Sequence, residues 1–266
     1  VDCSKIPEFR FLRISNLVKH TVAIEHSVLT GYTEAMKSAY FRIGRSRAWL
    51  YAVTSELFAK SFPLIFRIDG EYIAEAEKFI SLLINYLKIK KDSKIIDLAC
   101  GKGRHSVFLN KMGYEVLGLD LSQQSIQHNK QFENTTLKFE VHDMRNEISG
   151  QLTTNKAEAV LNLFTSFGYF EDENDDRKVF QSISNILNDD GYFVLDFLNA
   201  KWVENTLVKE DIVIKEGINF TIKKKIEDQH VIKDITFSDG VEKFHFFEKV
   251  KLHTLEEMNI YAEEFG

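Results

Sequence analysis

The stretch Lys94-Ile-Ile-Asp-Leu-Ala-Cys-Gly-Lys-Gly-Arg-His-Ser106, followed after a short helical interval by Glu115-Val-Leu-Gly-Leu-Asp120, decides the fold. An apolar strand runs into two glycines, a helix follows, and a second apolar strand ends in a carboxylate. That order describes a nucleotide-type ligand held at the carboxyl end of a parallel sheet. Gly101 and Gly103 lack a Cβ, so the backbone between strand and helix can turn sharply and approach a ligand. The helix opening near Arg104 aims free N–H groups and a positive dipole end at an anion, and a ligand carboxylate suits that place. Asp120 lies 23 residues beyond Asp97, at the end of the next strand, where an acidic side chain accepts ribose hydroxyl protons.

Two other phosphate-binding loops are weighed against this one. A dinucleotide fingerprint continues G-x-G-x-x-G, but Ser106 holds the third glycine position, so the loop fits a diphosphate less well. An NAD(P)-dependent oxidoreductase stays as the alternative. The P-loop pattern G-x-x-x-x-G-K-[ST] is not met.

Outward from the glycine loop, strands and helices alternate through Leu198, the pattern of a doubly wound, mostly parallel α/β sheet. Strands are expected at 94–99, 115–120, 137–141, 158–163 and 192–198, and helices near 104–112, 123–132 and 173–188. Upstream, Ile73, Ala76, Phe79, Ile80, Leu83 and Leu87 recur at helical spacing and predict a sheet-covering helix over Glu71–Leu87. Asp189-Asp-Gly191 reads as a turn closing the last helix, with glycine in a left-handed conformation. After Trp202 the period changes to two, predicting antiparallel strands over 212–214, 219–226, 231–237 and 241–252 with turns at 227–230 and 238–240. Leu255–Phe265 reads as a terminal helix. Phe9–Leu29 fits helix or strand, and Thr33–Ile43 a short helix.

These segments resemble the class I S-adenosylmethionine (SAM)-dependent methyltransferases, in particular small bacterial ones whose first motif reads like IIDLACGKGRHS. The resemblance covers roughly Phe58–Gly266 and includes His142-Asp-Met144, Val160-Leu-Asn-Leu-Phe-Thr-Ser-Phe-Gly-Tyr-Phe170 and Asp190-Gly-Tyr-Phe-Val-Leu-Asp-Phe-Leu198. It implies a Rossmann-like core over 58–200, an antiparallel β insertion after the fifth strand over 201–253 that could act as a substrate lid, and a core helix over 254–266. The segment 1–57, partly helical, matches nothing recognisable. The resemblance also implies SAM as cofactor and S-adenosylhomocysteine as product. Its cofactor site would comprise Asp97, Ala99, Gly101, Gly103, Asp120, Leu121, Asp143, Met144, Asn162 and Leu163. Family members usually add a two-strand hairpin after the terminal helix; here either the chain is a piece of a longer one or N-terminal residues fill that sheet edge.

Each of these residues also has a plainer role. Asp97 can brace the glycine loop by accepting its hydrogen bonds. Asp143 meets the adenine amino group in the family, with Met144 against the ring, but an Asx-type turn explains it equally. Asn162, polar in an apolar strand, reaches the ligand or a loop backbone. Ser122 should cap the next helix. Thr165, Ser166 and Tyr169 are candidate acceptor-site residues, and aromatic rings there suit a sulfonium or a substrate cation. No catalytic base is identifiable. His105 reads as a capping or packing residue, and Glu171–Asp176 as a helix start favoured by the dipole rather than half of an EF-hand.

Composition narrows the partners. Residues 1–60 carry nine Lys/Arg against five Asp/Glu, and the remainder 25 against 35, an acidic body that argues against a nucleic acid as the main partner. Arg42, Arg45 and Arg47 keep an RNA-associated methyltransferase or SAM-binding protein as a minor alternative. Two cysteines, Cys3 and Cys100, form no disulfide framework, and no apolar run reaches bilayer-spanning length. The expectation is a cytoplasmic, membrane-free enzyme with no metal, methylating a small-molecule acceptor. The acceptor and the oligomeric state are left open.

Overall fold

The computed structural model describes residues 11–14, 20–25 and 70–265, apart from 149, 151, 164, 165, 199, 216 and 217. The Thr33–Ile43 helix, the arginine cluster at 42–47 and Thr165 lie outside the described residues.

Seven strands form one sheet: β1 (Phe11–Ile14), β2 (His20–Glu25), β3 (Lys94–Leu98), β4 (Glu115–Asp120), β5 (Leu137–Val141), β6 (Ala157–Asn162) and β7 (Leu187–Phe197), in the order β1-β2-β7-β6-β3-β4-β5. All pairs are parallel except β1 with β2. The ambiguous Phe9–Leu29 stretch is therefore strand where it is described, and β1 and β2 occupy the edge beside β7.

Successive strand residues point to opposite faces, and the core divides accordingly. Ile95, Val116, Ala159 and Val194 pack with Ile80, Leu83 and Leu87 of α1 (Gly70–Leu87), Leu109 of α2 (Arg104–Lys111) and Ile126 of α3 (Gln123–Asn129). Ile96, Leu117, Val160 and Phe193 pack on the other face with Val179, Phe180 and Ile183 of α4 (Glu173–Ile186). Each such fully buried aliphatic side chain contributes about 1.5–3 kcal/mol, which is why strands covered on both faces read as continuous apolar runs.

Asp189–Gly191 is corrected by the structure. Helix α4 ends at Ile186, β7 begins at Leu187, and the triplet lies inside that strand at a register shift between Ala157 and Ala159 of β6. Gly191 is not left-handed; it is glycine because a Cβ would stand 2.9 Å from the Asn188 carbonyl oxygen and 3.2 Å from that of Ala157. A seven-residue helix, α5 (Ala200–Thr206), also precedes the insertion, too short to leave a periodic signal.

The insertion is a separate antiparallel sheet, β11-β10-β9-β8, from β8 (Glu210–Lys215), β9 (Ile218–Glu227), β10 (His230–Ser238) and β11 (Lys243–Lys251). Asp228 and Gln229 join β9 to β10 with φ of 48° and 59°, the paired positive values that a two-residue hairpin turn needs. Its inner face is aromatic: Phe237 lies 4.7 Å from Phe220 and 4.8 Å from Phe244, centroid to centroid. Helix α6 (Leu255–Phe265) then returns to the core, burying Met258 and Tyr261 beside Phe180.

Candidate active site

Strand β3 delivers the chain to the carboxyl edge of the sheet, where three of the next five residues are left-handed: Ala99 (φ 78°), Gly101 (55°) and Gly103 (72°). A left-handed alanine costs about 1–2 kcal/mol, and such strain collects at ligand sites. It is held here because Ala99 and Cys100 both donate their N–H to the Leu119 carbonyl, at 2.7 and 2.9 Å. The buried Asn129 side chain donates to the Gly101 carbonyl at 2.8 Å.

The two loop glycines do different jobs. A Cβ on Gly101 would meet nothing within 4 Å, whereas one on Gly103 would stand 2.8 Å from the Phe139 ring. Gly101 faces open room, and Gly103 makes way for packing. Gly118 does the same from β4, where a Cβ would stand 2.5 Å from Phe139 and 3.0 Å from Ser106 Oγ. The close helix–strand approach that a dinucleotide loop obtains from its third glycine is obtained here from Gly118, leaving Ser106 free to donate to Asp97 at 2.5 Å.

Gly103 stands at the N-cap of α2 and makes no side-chain hydrogen bond, and the N–H groups of a first helical turn are where an anion would bind. Beside them burial pushes the Arg104 guanidinium down to about 10 against the pull of Asp97. His105 is buried, its ring nitrogen 3.1 Å from Arg104, and burial followed by the arginine's charge lowers its pKa well below the usual value. It is a packing residue in neutral form.

Asp120, 2% exposed, has more structural work than its position in the sequence suggests. It accepts the Gly101 N–H at 2.5 Å and the Ser122 N–H at 2.9 Å, while Ser122 Oγ caps α3 through the Ser125 N–H. Leu121 between them is half-buried. Asp143 forms the Asx turn, accepting the Arg145 N–H at 3.0 Å, and its carboxylate is also clamped by the guanidinium at 2.6 to 3.1 Å. Arg145 reaches on to Asp175 and over the Phe170 ring. Met144 packs against the core rather than standing clear of it.

Asn162 is fully buried and donates to the Leu98 carbonyl at 3.1 Å, so it reaches the loop backbone. Its Oδ1, like that of Asn129, is buried without a hydrogen-bond partner. Leaving a buried acceptor unsatisfied costs about 1–3 kcal/mol, and two of them beneath this loop suit a ligand that carries donors.

After Leu163, which is buried and accepts from Ser166 Oγ at 3.0 Å, the chain meets the antiparallel sheet. The Gly168 carbonyl accepts the Lys251 N–H at 2.7 Å, and the Tyr169 hydroxyl donates to Glu248 at 3.1 Å. The β insertion thus docks on the segment that follows β6. Behind that junction His253 lies against the Phe167 ring, 3.5 Å from Asp176, both nearly inaccessible. Burial raises the Asp176 carboxyl to about 7 and lowers the His253 imidazole to about 3, so both favour their uncharged forms.

The sequence therefore places Asp97, Ala99, Gly101, Gly103, Asp120, Asn162 and Leu163 around one loop, with Asp143 and Met144 at the end of β5. Asn129, Arg145 and Glu248 were missed. Only Glu248 carried a signal: an acid between Phe246 and Val250 on the inward face of a period-two strand.

Residues 89–249 match a family of sequences described as a methyltransferase domain. The glycine/sarcosine N-methyltransferase of Aphanothece halophytica is 31% identical over 165 residues, 61% of this chain and 56% of that protein. The dTDP-3-amino-3,4,6-trideoxy-alpha-D-glucopyranose N,N-dimethyltransferase of Streptomyces venezuelae is 28% identical over 152 residues, 55% of this chain and 60% of that one. Among solved structures, a SAM-dependent methyltransferase from Clostridium acetobutylicum ATCC 824 superposes with a TM-score of 0.61 at 20% identity, covering 79% of this chain and 86% of that one, a likeness of fold. The chain spans about half the length of the curated relatives it matches.

Proposed function

This chain belongs to the methyltransferase-domain family, and from that premise we propose that it transfers a methyl group from SAM to a small-molecule acceptor. The single observation that carries the proposal is the loop after β3. Gly101 faces open room beside the glycine-capped start of α2 and the buried carboxylate of Asp120. Family membership, rather than loop geometry, decides against the nicotinamide alternative.

When bound, SAM supplies a methyl carbon made electrophilic by its sulfonium. The chain's task is to hold and orient, and alignment alone can account for much of the acceleration of such a displacement. In this proposal the N–H groups opening α2 receive the ligand's carboxylate, Asp120 the ribose hydroxyls, and the Asp143–Met144 turn the adenine. Asp120 must then share its oxygens with the Gly101 and Ser122 N–H groups, and Asp143 with Arg145. Ser166 and Tyr169, with Thr165, border the acceptor, and the antiparallel sheet closes over it as a lid. A small acceptor is supported by relatives named for activity on glycine, sarcosine or an amino sugar and by the acidic body, which disfavours nucleic acid. No helix among the described residues is long and apolar enough to cross a membrane, and a cytoplasmic location accords with a sequence whose two cysteines make no disulfide framework.

Calorimetric titration with SAM, S-adenosylhomocysteine and NAD tests the cofactor, with binding of the first two expected. Transfer of labelled methyl to glycine, sarcosine and amino-sugar acceptors tests the reaction. Binding of NAD in preference to SAM would overturn it.

A further inference from the structure

The acidic run Glu171–Asp176 opens α4, and three of its carboxylates reach away from the helix in different directions. Asp172 caps it, accepting the Asn174 N–H at 2.9 Å. Glu173 accepts from Lys251 Nζ at 3.0 Å, at the end of the strand that docks the antiparallel sheet. Asp175 accepts from Arg145 Nη1 at 3.1 Å, and Asp176 faces His253. One helical turn is thus tied both to the turn after β5 and to the root of the antiparallel sheet. The helix dipole favours acidic residues there but does not ask for partners on separate elements.

Arg145 stands in the middle of this arrangement. A guanidinium is a planar fork of donors whose faces stack on aromatic rings, and here the plane and a face are both engaged. Nε and Nη2 grip the Asp143 carboxylate at 2.6 to 3.1 Å, Nη1 reaches Asp175, and the guanidinium carbon stands 5.4 Å from the centroid of the Phe170 ring. Phe170 meets Phe167 edge to face, and Phe167 lies 5.3 Å from the His253 ring. In the chain between those two phenylalanines, the Gly168 carbonyl accepts the Lys251 N–H. A continuous series of contacts therefore runs from the Asp143–Met144 turn to the acceptor-bordering segment and on to the antiparallel sheet. The arginine side chain is 28% exposed, and ion pairs open to water add little stability, so the fork and the ring contact set geometry.

We infer that Arg145 is a positioning residue that couples the cofactor to the acceptor. A ligand that orders the Asp143–Met144 turn fixes the guanidinium, and the guanidinium fixes Phe170, the first turn of α4 and, through them, the docking of the antiparallel sheet. The inference rests on the methyltransferase reading and its placing of the adenine at that turn. Its consequence is an order of assembly: the surroundings of the acceptor are complete only once SAM is bound. Because such coupling is reciprocal, a bound acceptor tightens SAM by the same factor.

The test is amide hydrogen exchange on the full chain, with and without saturating S-adenosylhomocysteine, in the parent, Arg145→Lys and Arg145→Met. The Lys251 N–H, bonded to Gly168, reports the junction, and the Lys224 N–H, bonded to the Lys209 carbonyl two strands away, reports general stabilisation. In the parent, S-adenosylhomocysteine is expected to slow exchange at Lys251 and at 166–170 about fivefold or more beyond any change at Lys224, the lower end of ordinary coupling between sites. Both Arg145 variants should lose that excess while still binding the ligand, and lysine, which keeps the charge but not the fork, should not restore it. A merely structural arginine would instead raise exchange by one factor with and without ligand. If the Arg145 variants do not fold or do not bind, Phe170→Leu decides: it leaves the grip on Asp143 in place and should keep S-adenosylhomocysteine affinity while losing the excess. No excess in the parent, or an excess that survives in the variants, overturns the inference. Calorimetry with S-adenosylhomocysteine tests the underlying reading separately. Should the folded parent not bind it, the methyltransferase reading falls, and the ligand-free exchange decides the link: Arg145→Met quickening 143–145 and 166–170 together supports it, and quickening 143–145 alone overturns it.

Discussion

The two sheets of this molecule present their polar groups in opposite ways. At the carboxyl end of the parallel sheet the surface is backbone: left-handed residues, a glycine-capped helix start and a glycine facing open room, all within a few residues of one another. On the inward face of the antiparallel sheet it is side chains, brought together by register from three strands and joined to Tyr169 across 79 positions of sequence. A backbone site constrains local sequence tightly and serves one ligand. A side-chain site can be rewritten residue by residue on an unchanged frame, so under the proposed function the first would suit a fixed cofactor and the second a variable acceptor.

Removing Asp211–Leu252, with a short linker to α6, should have the largest effect and breaks the comparison outright. Methyl transfer is expected to vanish while S-adenosylhomocysteine still binds, because the hydrogen bonds that hold the Gly101 loop come from the parallel-sheet unit. Cofactor affinity lost together with activity, in a variant that remains folded, would show that the two surfaces are not separable.

A pair of alanine substitutions sharpens the division within the parallel sheet itself. Gly101→Ala should cost only about 1–2 kcal/mol of stability, the penalty of a left-handed alanine, yet remove detectable SAM binding because its methyl enters the open room. Gly118→Ala should instead destabilise by about 1–3 kcal/mol through overpacking against Phe139. Denaturant unfolding and ligand titration of both variants check this, and equal SAM affinity for Gly101→Ala and the parent would mean the loop has been placed wrongly.

How much of this was legible follows the same division. Lys94–Asp120 could be read because its chemistry is contiguous and each residue type answers a local backbone requirement. Asp189–Gly191 was misread because Asp-Asp-Gly is turn-like locally, whereas the requirement that Gly191 meets is tertiary, the approach of carbonyls from its own strand and β6. Arg145 and Glu248 take their meaning from partners 30 and 79 residues away, which no local pattern announces.

Smaller effects are expected from single carboxylates. Asp120→Ala should weaken SAM by about 1–3 kcal/mol, the range for hydrogen bonds to a charged group. It should also loosen the loop, since the Gly101 and Ser122 N–H groups lose their acceptor. Calorimetry with hydrogen exchange at Gly101 separates the two, and unchanged affinity removes Asp120 from the site.

The smallest effect is one of pH. Asp176 has a folded-state pKa raised to about 7, so the folded protein holds its proton where the unfolded chain has released it. Stability from this group is complete below the ordinary carboxyl range and is lost as pH rises through about 7. His253, lowered to about 3, works the other way: its contribution is present above the ordinary imidazole pKa and is lost as pH falls through about 3. Asp176→Asn keeps the neutral shape, so relative to the parent it should gain at least about 1 kcal/mol at pH 8 compared with pH 5, since a tenfold change in proton affinity between the folded and unfolded states is worth about 1.4 kcal/mol. An identical stability difference at the two pH values would refute the assignment.

The Phe139 ring touches the places where side chains would grow from both Gly103 and Gly118, and this fixes an order on the chain's own history. Neither glycine can acquire a methyl while the ring stays; a smaller residue at 139 must come first, and it opens a cavity that is unfavourable until a glycine changes. Each path from this loop to another therefore crosses a less stable intermediate, and only a lineage with stability to spare could make the crossing. Substitutions at 103, 118 and 139 should be inherited together or not at all, and Phe139→Leu should rescue Gly118→Ala while harming the parent on its own.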